Sequence, residues 1–357
     1  MPFVDLRAET ASVRAEVEAS LARTLDEAQF VGGAAVAEFE RAWAEVCGVT
    51  HAVGVASGTD ALELALRAVG VEAGDEVIVP ANTCIPTVAA VEAAAATPVL
   101  VDADPAAWTI DPNALAGAVT QRTRALVPVH LYGRPVEGDA ISAFARARGL
   151  TIVEDAAQAH GARGVGSLGA AAAFSFYPTK NLGALGDAGA IVTDDDEVAE
   201  RARRLRNYGE DARYHSIERG TNSRLDTLQA AVLLAKLPHL ERWNERRREL
   251  AARYDRLLAD LPVDRPEWDD RSVWHLYVVR VRDRDAFRRA LQERGVETAV
   301  HYPRAVHEHP AYDHLGRAGG FPVAEALVRE VVSLPLHQSL TDAEQGAVVE
   351  AIAAWAA

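Results

Sequence analysis

Lysine is nearly absent from this chain. Of its 37 lysines and arginines only two are lysines, Lys180 and Lys236. An arginine keeps its proton in proteins, whereas a lysine can lose one and attack a carbonyl carbon. Lys180 follows the apolar run AAAFSF and stands between Pro178 and two glycines, so a lysine retained at this strand end suggests imine chemistry. A solvated surface lysine is the plain alternative, and position alone does not decide between the two.

Cysteine, positive charge and long apolar runs are also scarce. The two cysteines, Cys47 and Cys84, have no metal-ligand spacing, which favours a reducing compartment without a disulfide framework. The 52 acidic residues outnumber the 37 basic ones and give a net charge of -15, which argues against a nucleic-acid or anionic-membrane partner. No apolar run reaches the roughly 18 residues of a membrane helix, and the first residues do not resemble a secretory signal. We therefore expect a cytoplasmic protein with no nucleic-acid or membrane partner.

No metal is expected either, because the 11 histidines lack spacings such as HExxH. What the sequence does contain is enough chain, 357 residues at 49% apolar, for a large globular domain and a smaller one. Apolar strands alternate with helical patterns from about residue 51 onward, which predicts an α/β fold with a mainly parallel sheet covered by helices on both faces. The predicted strands are 51–56, 76–80, 98–102, 125–131, 151–155, 172–176 and 190–194.

The character of the sequence changes after about residue 240. A long helix rich in arginine and glutamate is predicted from residue 239, followed by a strand at 272–281 and a helix near 284–294. We therefore divide the chain into a large domain, residues 1–245, with a helical N-terminal segment, and a small C-terminal α/β domain, residues 246–357.

Ligands of open parallel sheets bind at the carboxyl ends of the strands. Ser57, Gly58 and Thr59 follow the first strand and open a helix, where free amides and the helix dipole favour a phosphate; taken alone, however, an ordinary capped helix explains them somewhat better. Asp155 ends another strand, and a buried carboxylate needs a cation or strong donors. A protonated pyridine nitrogen is such a partner, and Gln158 could bond the phenolic oxygen of the same ring. A helix N-cap is the alternative role for Asp155.

The lysine strand completes this set. Ser175 points inward by the period of its strand and lies five residues before Lys180, so its hydroxyl could share the phosphate. A phosphate site, a carboxylate for a ring nitrogen and a lysine for an aldehyde together indicate pyridoxal 5'-phosphate.

The sequence resembles the DegT/DnrJ/StrS family of nucleotide-sugar aminotransferases. The motifs that carry the resemblance are SGTDALELAL, GDEVIVPANT, VPVHLYG, EDAAQAHGA, FSFYPTKNLGALGDAGA, RLRNYG, NSRLDTLQAAVL and LPHLERWNERRR, and it spans nearly the whole chain. The resemblance implies a fold-type I enzyme that uses pyridoxal phosphate to move an amino group from an amino acid, L-glutamate above all, to a nucleotide-linked keto-deoxysugar.

The resemblance also implies roles for single residues. Lys180 would form the imine, Asp155 would contact the pyridinium and Gln158 the ring. Asn222 resembles the asparagine that reaches the phosphate from a second subunit, so the active form would be a homodimer with shared active sites. A helix N-terminal role for Asn222 is compatible with this. The residues implied to hold the phosphate are Gly58, Thr59 and Ser175.

The wording around His160 and Lys180 is most similar to enzymes that aminate dTDP-3-keto-6-deoxyhexoses, although 4-keto enzymes share most of it. His160 is either a substrate contact or a packed strand-end histidine. The other predicted sugar-nucleotide contacts are Tyr177, Tyr214, Arg224, His301 and Tyr302.

Three positions depart from the family pattern. Cys84 stands where an aromatic residue usually covers the cofactor ring, which predicts weaker stacking. The loop between Gly161 and Ser167 is short, which leaves the hairpin before the lysine strand in doubt. Ala170 replaces a common aspartate. The first two departures could shift substrate choice.

Three other functions compete with an aminotransferase. A sugar dehydratase on the same scaffold would have histidine in place of Lys180. A dinucleotide-binding dehydrogenase would need GxGxxG after the first strand, and SGTD lacks those glycines. A non-catalytic regulator that keeps the fold and the cofactor remains the alternative from another class.

Overall fold

The structure is a computed structural model that describes residues 1–356. Its helices are α1 Leu6–Ser12, α2 Arg14–Glu27, α3 Ala34–Cys47, α4 Gly58–Ala68, α5 Ile85–Ala93, α6 Gly138–Arg148, α7 Asp196–Leu205, α8 Thr227–Lys236, α9 Leu240–Leu257, α10 Arg284–Glu293, α11 Pro322–Glu330 and α12 Asp342–Ala356. Its strands are β1 His51–Val55, β2 Glu76–Pro80, β3 Thr97–Val101, β4 Thr123–Leu126, β5 Thr151–Asp155, β6 Ala171–Ser175, β7 Gly189–Thr193, β8 Glu210–Ala212, β9 His215–Ser216, β10 Tyr277–Arg280 and β11 Val331–Leu334.

A seven-stranded sheet in the order β1-β7-β6-β5-β4-β2-β3 forms the centre of the protein. Strand β7 runs antiparallel to both of its neighbours, and the other pairs are parallel. The prediction of a mainly parallel sheet is therefore confirmed. Strands β2 and β7 are buried along their whole length, as expected for strands that are covered on both faces.

Helices cover both faces of this sheet. On one face α4, α5 and α7 bury a cluster that includes Leu64, Val88 and Ala199. On the other face α3 and α8 bury a second cluster, in which Trp43 meets Phe174 edge to face at 5.0 Å. The two layers hold the strand ends in place from above and below, so the rim of the sheet is a rigid platform for side chains.

The C-terminal part has a cluster of its own, in which Tyr254 of α9 packs against Tyr277 of β10 beside α10 and α12. The predicted boundary at residue 245 falls inside α9, and the division into residues 1–245 and 246–357 stays a prediction. Met1 also packs against this cluster, and its amino group donates to the carbonyl of Gly295 at 2.5 Å. The first residues therefore contact the C-terminal part, although Met1 and Gly295 are 294 residues apart in the sequence.

One predicted strand is shorter than expected because distant contacts interrupt it. The strand predicted at 272–281 is formed only from Tyr277, since Val273 and Leu276 donate their amides to the carbonyls of Gly133 and Tyr132 instead. The helical N-terminal segment is divided at Val13 into α1 and α2. Among the described helices, none combines the length and the apolar character needed to cross a membrane.

Candidate active site

A cavity of about 380 Å³ opens at the carboxyl ends of the central strands. Strand register explains why its walls come together there. Gly189, the first residue of β7, is paired with Val55 on one side and with Ser175 on the other, and Asp155 is paired with Ala173 one strand further along. Residues that lie far apart in sequence therefore share one edge of the sheet, as expected for a parallel arrangement.

One end of the cavity is built for an anion. Ser57 caps α4 by accepting a hydrogen bond from the amide of Asp60 at 3.1 Å. A Cβ on Gly58 would lie 2.4 Å from the Cβ of Ser175, so only glycine allows the helix to begin this close to β6. The Asp60 carboxylate is turned to Ser223, whose hydroxyl donates to it at 2.6 Å. The first amides of α4, next to the Ser175 hydroxyl, thus form a cradle with the polarity that phosphate prefers.

A carboxylate lies deeper in the cavity. Asp155 is only 9% exposed, and its Oδ2 accepts a hydrogen bond from the Thr87 hydroxyl at 2.7 Å. Because that proton is committed to the carboxylate, the hydroxyl of Thr83, 2.8 Å away, donates to Thr87 in turn. The amide of Ala157 donates to Oδ1 at 3.1 Å. These donors stabilise the charged form of a carboxylate that lies out of solvent.

Lys180 lines the same cavity and follows β6 in a tight turn, in which its own amide donates to the carbonyl of Tyr177 at 2.9 Å. Burial lowers the pKa of Lys180 from its ordinary value, and nearby Cys84 and Asp155 offset only part of this shift. A lysine with a lowered pKa gives up its proton more readily and is a better nucleophile at neutral pH.

The wall opposite the sheet edge comes from the C-terminal part. Gln158 accepts a hydrogen bond from the amide of Tyr132 at 2.6 Å and donates to the hydroxyl of Tyr302 at 2.9 Å. Burial raises the pKa of Tyr302 well above its usual value, and Cys84 adds to the shift. Burial, with a contribution from Lys180, lowers the pKa of His301 to about 4. The imidazole of His301 is therefore neutral at physiological pH.

A sequence model of the DegT/DnrJ/EryC1/StrS aminotransferase family matches residues 11–353. The chain belongs to this family. It is 49% identical over 368 residues to the dTDP-3-amino-3,4,6-trideoxy-alpha-D-glucose transaminase of Streptomyces venezuelae, with 100% of this chain and 96% of that protein covered. The comparison confirms the resemblance drawn from the motifs, and this family member is an aminotransferase.

Solved structures agree with the family assignment. The crystal structure of S. venezuelae DesV in complex with a ketimine intermediate superposes with a TM-score of 0.97 at 49% identity and covers 99% of this chain and 98% of that one. Bacillus subtilis NtdA with bound cofactor PMP superposes with a TM-score of 0.96 at 32% identity, covering 99% and 85%. The predicted fold class and the predicted cofactor, pyridoxal 5'-phosphate, are thereby confirmed.

The residues of this family member fit that cofactor. The cradle at Gly58 is a space that a Cβ would fill, the carboxylate of Asp155 is hydrogen-bonded and buried, and the amine of Lys180 has a lowered pKa. An anion site, a carboxylate and a nucleophilic amine are what a phosphorylated pyridine aldehyde requires.

Most of the residues predicted from the sequence line this cavity, although the role of each stays a prediction. Those that line it are Gly58, Thr59, Cys84, Asp155, Gln158, Ser175, Tyr177, Lys180, His301 and Tyr302. Those that do not are His160, Tyr214, Asn222 and Arg224.

Of the two roles left open for His160, a substrate contact and a packed histidine, the structure shows the packing. This side chain is fully buried on the opposite face of the sheet, where its ring packs against Trp43, Phe174 and Phe176. Its Nε2 donates to the carbonyl of Ser175 at 2.8 Å, and burial lowers its pKa to about 3. His160 is therefore the packed strand-end histidine of the alternative interpretation, and it supports the backbone of Ser175 from behind.

Asn222 and Arg224 line a second cavity of about 350 Å³. Asp187 lines both cavities, so the second begins beside the first. Arg224 donates to the Asn207 side chain at 3.2 Å. Tyr214 lies on the hairpin of β8 and β9 and is 83% exposed. Within one chain these side chains stand outside the main cavity.

Several cavity residues were missed by the sequence analysis, among them Thr83, Thr87, Asp187 and His275. Thr87 orients Asp155, His275 lines the cavity with its Nδ1 3.0 Å from Oδ1 of Asn181, and Asp187 marks the junction of the two cavities. Thr83 and Thr87 could have been found from the sequence, because they lie four residues apart on either side of Cys84 at the start of α5. No sequence pattern marks His275, because its partner Asn181 is almost a hundred residues away.

The short loop after Gly161 forms a tight turn, and the described chain has no strand between β5 and β6. The buried carboxylate of Glu154 holds the turn by accepting the amides of Gly166 at 3.0 Å and Leu168 at 2.9 Å. Its partner on the other side is His130, 2.9 Å away. In place of the hairpin that the sequence left in doubt, the chain forms a turn that is held by the buried carboxylate of Glu154. Ala170 stays close to the sheet through its carbonyl, which accepts from Thr193 at 2.6 Å.

Proposed function

We propose that this enzyme transfers the amino group of L-glutamate to the keto carbon of a dTDP-3-keto-6-deoxyhexose, in aminodeoxysugar biosynthesis, and that it works as a homodimer with shared active sites. The observation that carries the proposal is the meeting of Lys180, Asp155 and the Gly58 cradle around one cavity. The printed activity of the 49% identical S. venezuelae relative, a dTDP-3-amino sugar transaminase, supports the choice of substrate.

Lys180 is the proposed catalytic base and acid. When bound, pyridoxal phosphate supplies an aldehyde that carries the amino group and a ring that accepts electrons. The lowered pKa of Lys180 lets its Nζ take a proton from the substrate carbon and return it at the next step. Because burial causes most of the shift, exclusion of water from the cavity is part of the mechanism.

Asp155 is proposed to keep a ring nitrogen protonated. Hydrogen bonds from Thr87 and Ala157 hold this carboxylate in place, and a buried negative charge favours a neighbouring positive one. Gly58, Thr59 and Ser175 are proposed to hold the phosphate, Gln158 to contact the ring and Cys84 to cover it.

A second copy of the chain is proposed to complete the substrate site. Among the described residues that line the main cavity there is no arginine, and His301 is neutral, so the cavity offers little positive charge for a diphosphate. Arg224 and Asn222 stand at the adjoining cavity, where an arginine can bind phosphate oxygens with two hydrogen bonds. We propose that both reach the active site of the partner, together with Tyr214. Tyr177, His301 and Tyr302 are proposed to contact the sugar within the same chain. A cytoplasmic location stays a prediction.

The test of the reaction is a two-stage assay on the purified protein with pyridoxal phosphate. Addition of L-glutamate should shift the visible absorption of the lysine-bound cofactor, and a dTDP-3-keto-6-deoxyhexose should then return it with formation of the amino sugar. Turnover with a dTDP-4-keto sugar alone would move the assignment to the 4-keto branch of the family. A spectral response to ligands without any amino-sugar product would favour the regulator.

Mixed dimers test the shared site. We expect the Lys180→Ala and Asn222→Ala variants to be inactive alone, and the two are combined after reversible dissociation. If Asn222 acts across the interface, one of the two sites in a mixed dimer has an intact Lys180 and an intact Asn222, and activity returns. Activity that stays absent in verified mixed dimers would mean that Asn222 serves its own chain.

A further inference from the structure

The second lysine of the chain lies directly under the turn that carries the first. Lys236, the last residue of α8, is 4% exposed. Its ammonium donates to the carbonyl of Gly183 at 2.5 Å and lies 2.5 Å from Oε1 of Glu9. Gly183 is three residues after Lys180, so a buried charge touches the backbone of the turn that presents Lys180 to the cavity.

The contact is part of a network that joins distant parts of the chain. The second oxygen of Glu9, which is 6% exposed, accepts a hydrogen bond from Gln338 at 2.7 Å. Gln338 in turn accepts from Arg247 at 3.1 Å. Helices α1, α8 and α9 and the segment before α12 thereby meet at one point below the turn.

The turn that carries Lys180 is tightly closed at Gly183. A Cβ on Gly183 would lie 2.4 Å from the carbonyl oxygen of Pro178, so the chain already closes tightly on itself there. The ammonium of Lys236 also sits 5.8 Å from the centre of the Trp243 ring. A planar guanidinium is wider than an ammonium and presents its donors in a fixed fork, so an arginine would contact Gly183 and Glu9 with a different geometry. Lysine at position 236 is notable because the other basic residues of the chain, Lys180 apart, are all arginine.

We propose that Lys236 is a positioning residue for catalysis: its buried pair with Glu9 fixes the carbonyl of Gly183 and so sets the direction in which the turn presents Lys180. The inference rests on the proposed role of Lys180. Asn181 holds the same turn from the other side by donating to Asn244 at 2.9 Å and to the carbonyl of Val273 at 3.0 Å. The amine is thus aimed by contacts on both sides of the turn, neither of which touches the cavity contents.

A purely structural role of Lys236 predicts a different result, and two variants distinguish this role from the positioning role. Lys236→Met alone leaves the Glu9 carboxylate buried without its cation, which destabilises any fold. Lys236→Met combined with Glu9→Leu removes both charges, and such replacements are often neutral for stability. Lys236→Arg keeps the charge but not the shape, and it serves as a second test if the double variant does not fold.

The experiment compares the parent, the double variant and Lys236→Arg after loading with pyridoxal phosphate. We expect the double variant to recover the melting temperature of the parent. Its cofactor should nevertheless dissociate roughly tenfold faster, as for the loss of a hydrogen bond to a charged group, and the pH midpoint of its visible absorption should shift. The partly buried pair Arg280 and Glu330, 2.6 Å apart in the C-terminal part, provides a control when changed to Met and Leu.

Parental values of both the dissociation rate and the pH midpoint in a stable double variant would overturn the positioning role. A parent protein that gives no visible absorption with pyridoxal phosphate would instead overturn the proposed function itself, whatever stands at position 236. A shift that appears in the variants at the turn and not in the Arg280 control supports the proposal.

Discussion

The two lysines of the chain lie on either side of one turn in opposite electrostatic surroundings. Lys236 has a carboxylate within 2.5 Å and a carbonyl at the same distance. Lys180 faces the cavity, where burial lowers its pKa and Cys84 and Asp155 compensate only in part. The two side chains are chemically identical, so their surroundings alone separate a structural cation from a reactive amine.

The comparison shows how one fold uses a buried charge in two ways. An ammonium that pairs with a buried carboxylate has its cost of burial offset by that partner. A poorly compensated ammonium loses its proton more easily, which is a cost for stability and an advantage for nucleophilic attack. The aminotransferase therefore places a paired ammonium on one side of the turn and a poorly compensated one on the other.

Replacement of each lysine by arginine should give the largest difference in activity between the two positions. Lys180→Arg keeps a positive charge but cannot form an imine, so we expect complete loss of transamination and of the visible absorption of the bound cofactor. Lys236→Arg should retain measurable activity, because its ammonium never meets the substrate. Both are checked by absorbance and by amino-sugar formation, with circular dichroism as the control for folding. A yellow and active Lys180→Arg protein would remove Lys180 from the mechanism.

The carboxylate beside Lys180 should give the next largest effect. Asp155→Asn removes the negative charge but keeps the shape, and we expect the turnover number to fall about 10²–10³-fold, as for loss of a preorganised electrostatic contact. Thr87→Val removes one donor to Asp155 and should cost about tenfold. Thr83→Val is the matched control, since Thr83 touches Thr87 and not the carboxylate. Equal activities of the Asp155 variant and the parent would contradict the assignment.

In the protein without cofactor the two lysines should act on stability with opposite sign. Lys236→Met breaks a buried pair whose members are 4% and 6% exposed, and we expect a loss of about 3–5 kcal/mol in the free energy of unfolding. Lys180→Met removes a charge that the folded state disfavours, so it should raise the free energy of unfolding at neutral pH. Urea titrations measure the free energy of unfolding of both variants. A loss of stability in both would contradict the expected effects of opposite sign.

The pH dependence of the Lys180→Met gain follows from the direction of the pKa shift. The folded pKa of Lys180 lies below the unfolded value, so the unfolded chain binds more protons between the two values and stability rises with pH there. The penalty is complete below the folded pKa and has vanished above the unfolded one, about 10.4. The gain from Lys180→Met should therefore shrink as pH approaches 10.4. A gain that is constant across this window would exclude a charge effect.

The residues that the sequence predicted correctly to line the cavity are those whose signal is local. Asp155 and Ser175 end strands that are buried runs, and Ser57 precedes an amphipathic helix, so a short window of sequence contains the information. Lys180 stood out because lysine is so rare in this chain. The parallel sheet then brings these strand ends together by register alone.

The residues that were missed or misplaced depend on contacts between distant segments. His275 reaches the cavity because its neighbours Val273 and Leu276 bond to the 132–133 turn, which no local pattern reveals. His160 has the strand-end position of a site residue but faces the aromatic cluster behind the sheet, and the face could not be read from a single histidine. The pairing of Lys236 with Glu9 spans more than two hundred residues, so the sequence alone gave Lys236 no role.

The end of the cavity that is built for an anion differs from the lysine sites, because it uses the first amides of α4 and no lysine. A Cβ on Gly58 would meet the Cβ of Ser175 at 2.4 Å, so Gly58→Ala should push the start of α4 away from β6 and weaken cofactor binding, by about tenfold if the backbone yields by a fraction of an ångström. Gly117→Ala is the matched control, since a Cβ there meets nothing within 4 Å. Equilibrium dialysis against pyridoxal phosphate measures both variants. Equal dissociation constants would show that the amides of this helix do not hold the phosphate, and the anion would then have to be held by side chains such as Thr59 and Ser175.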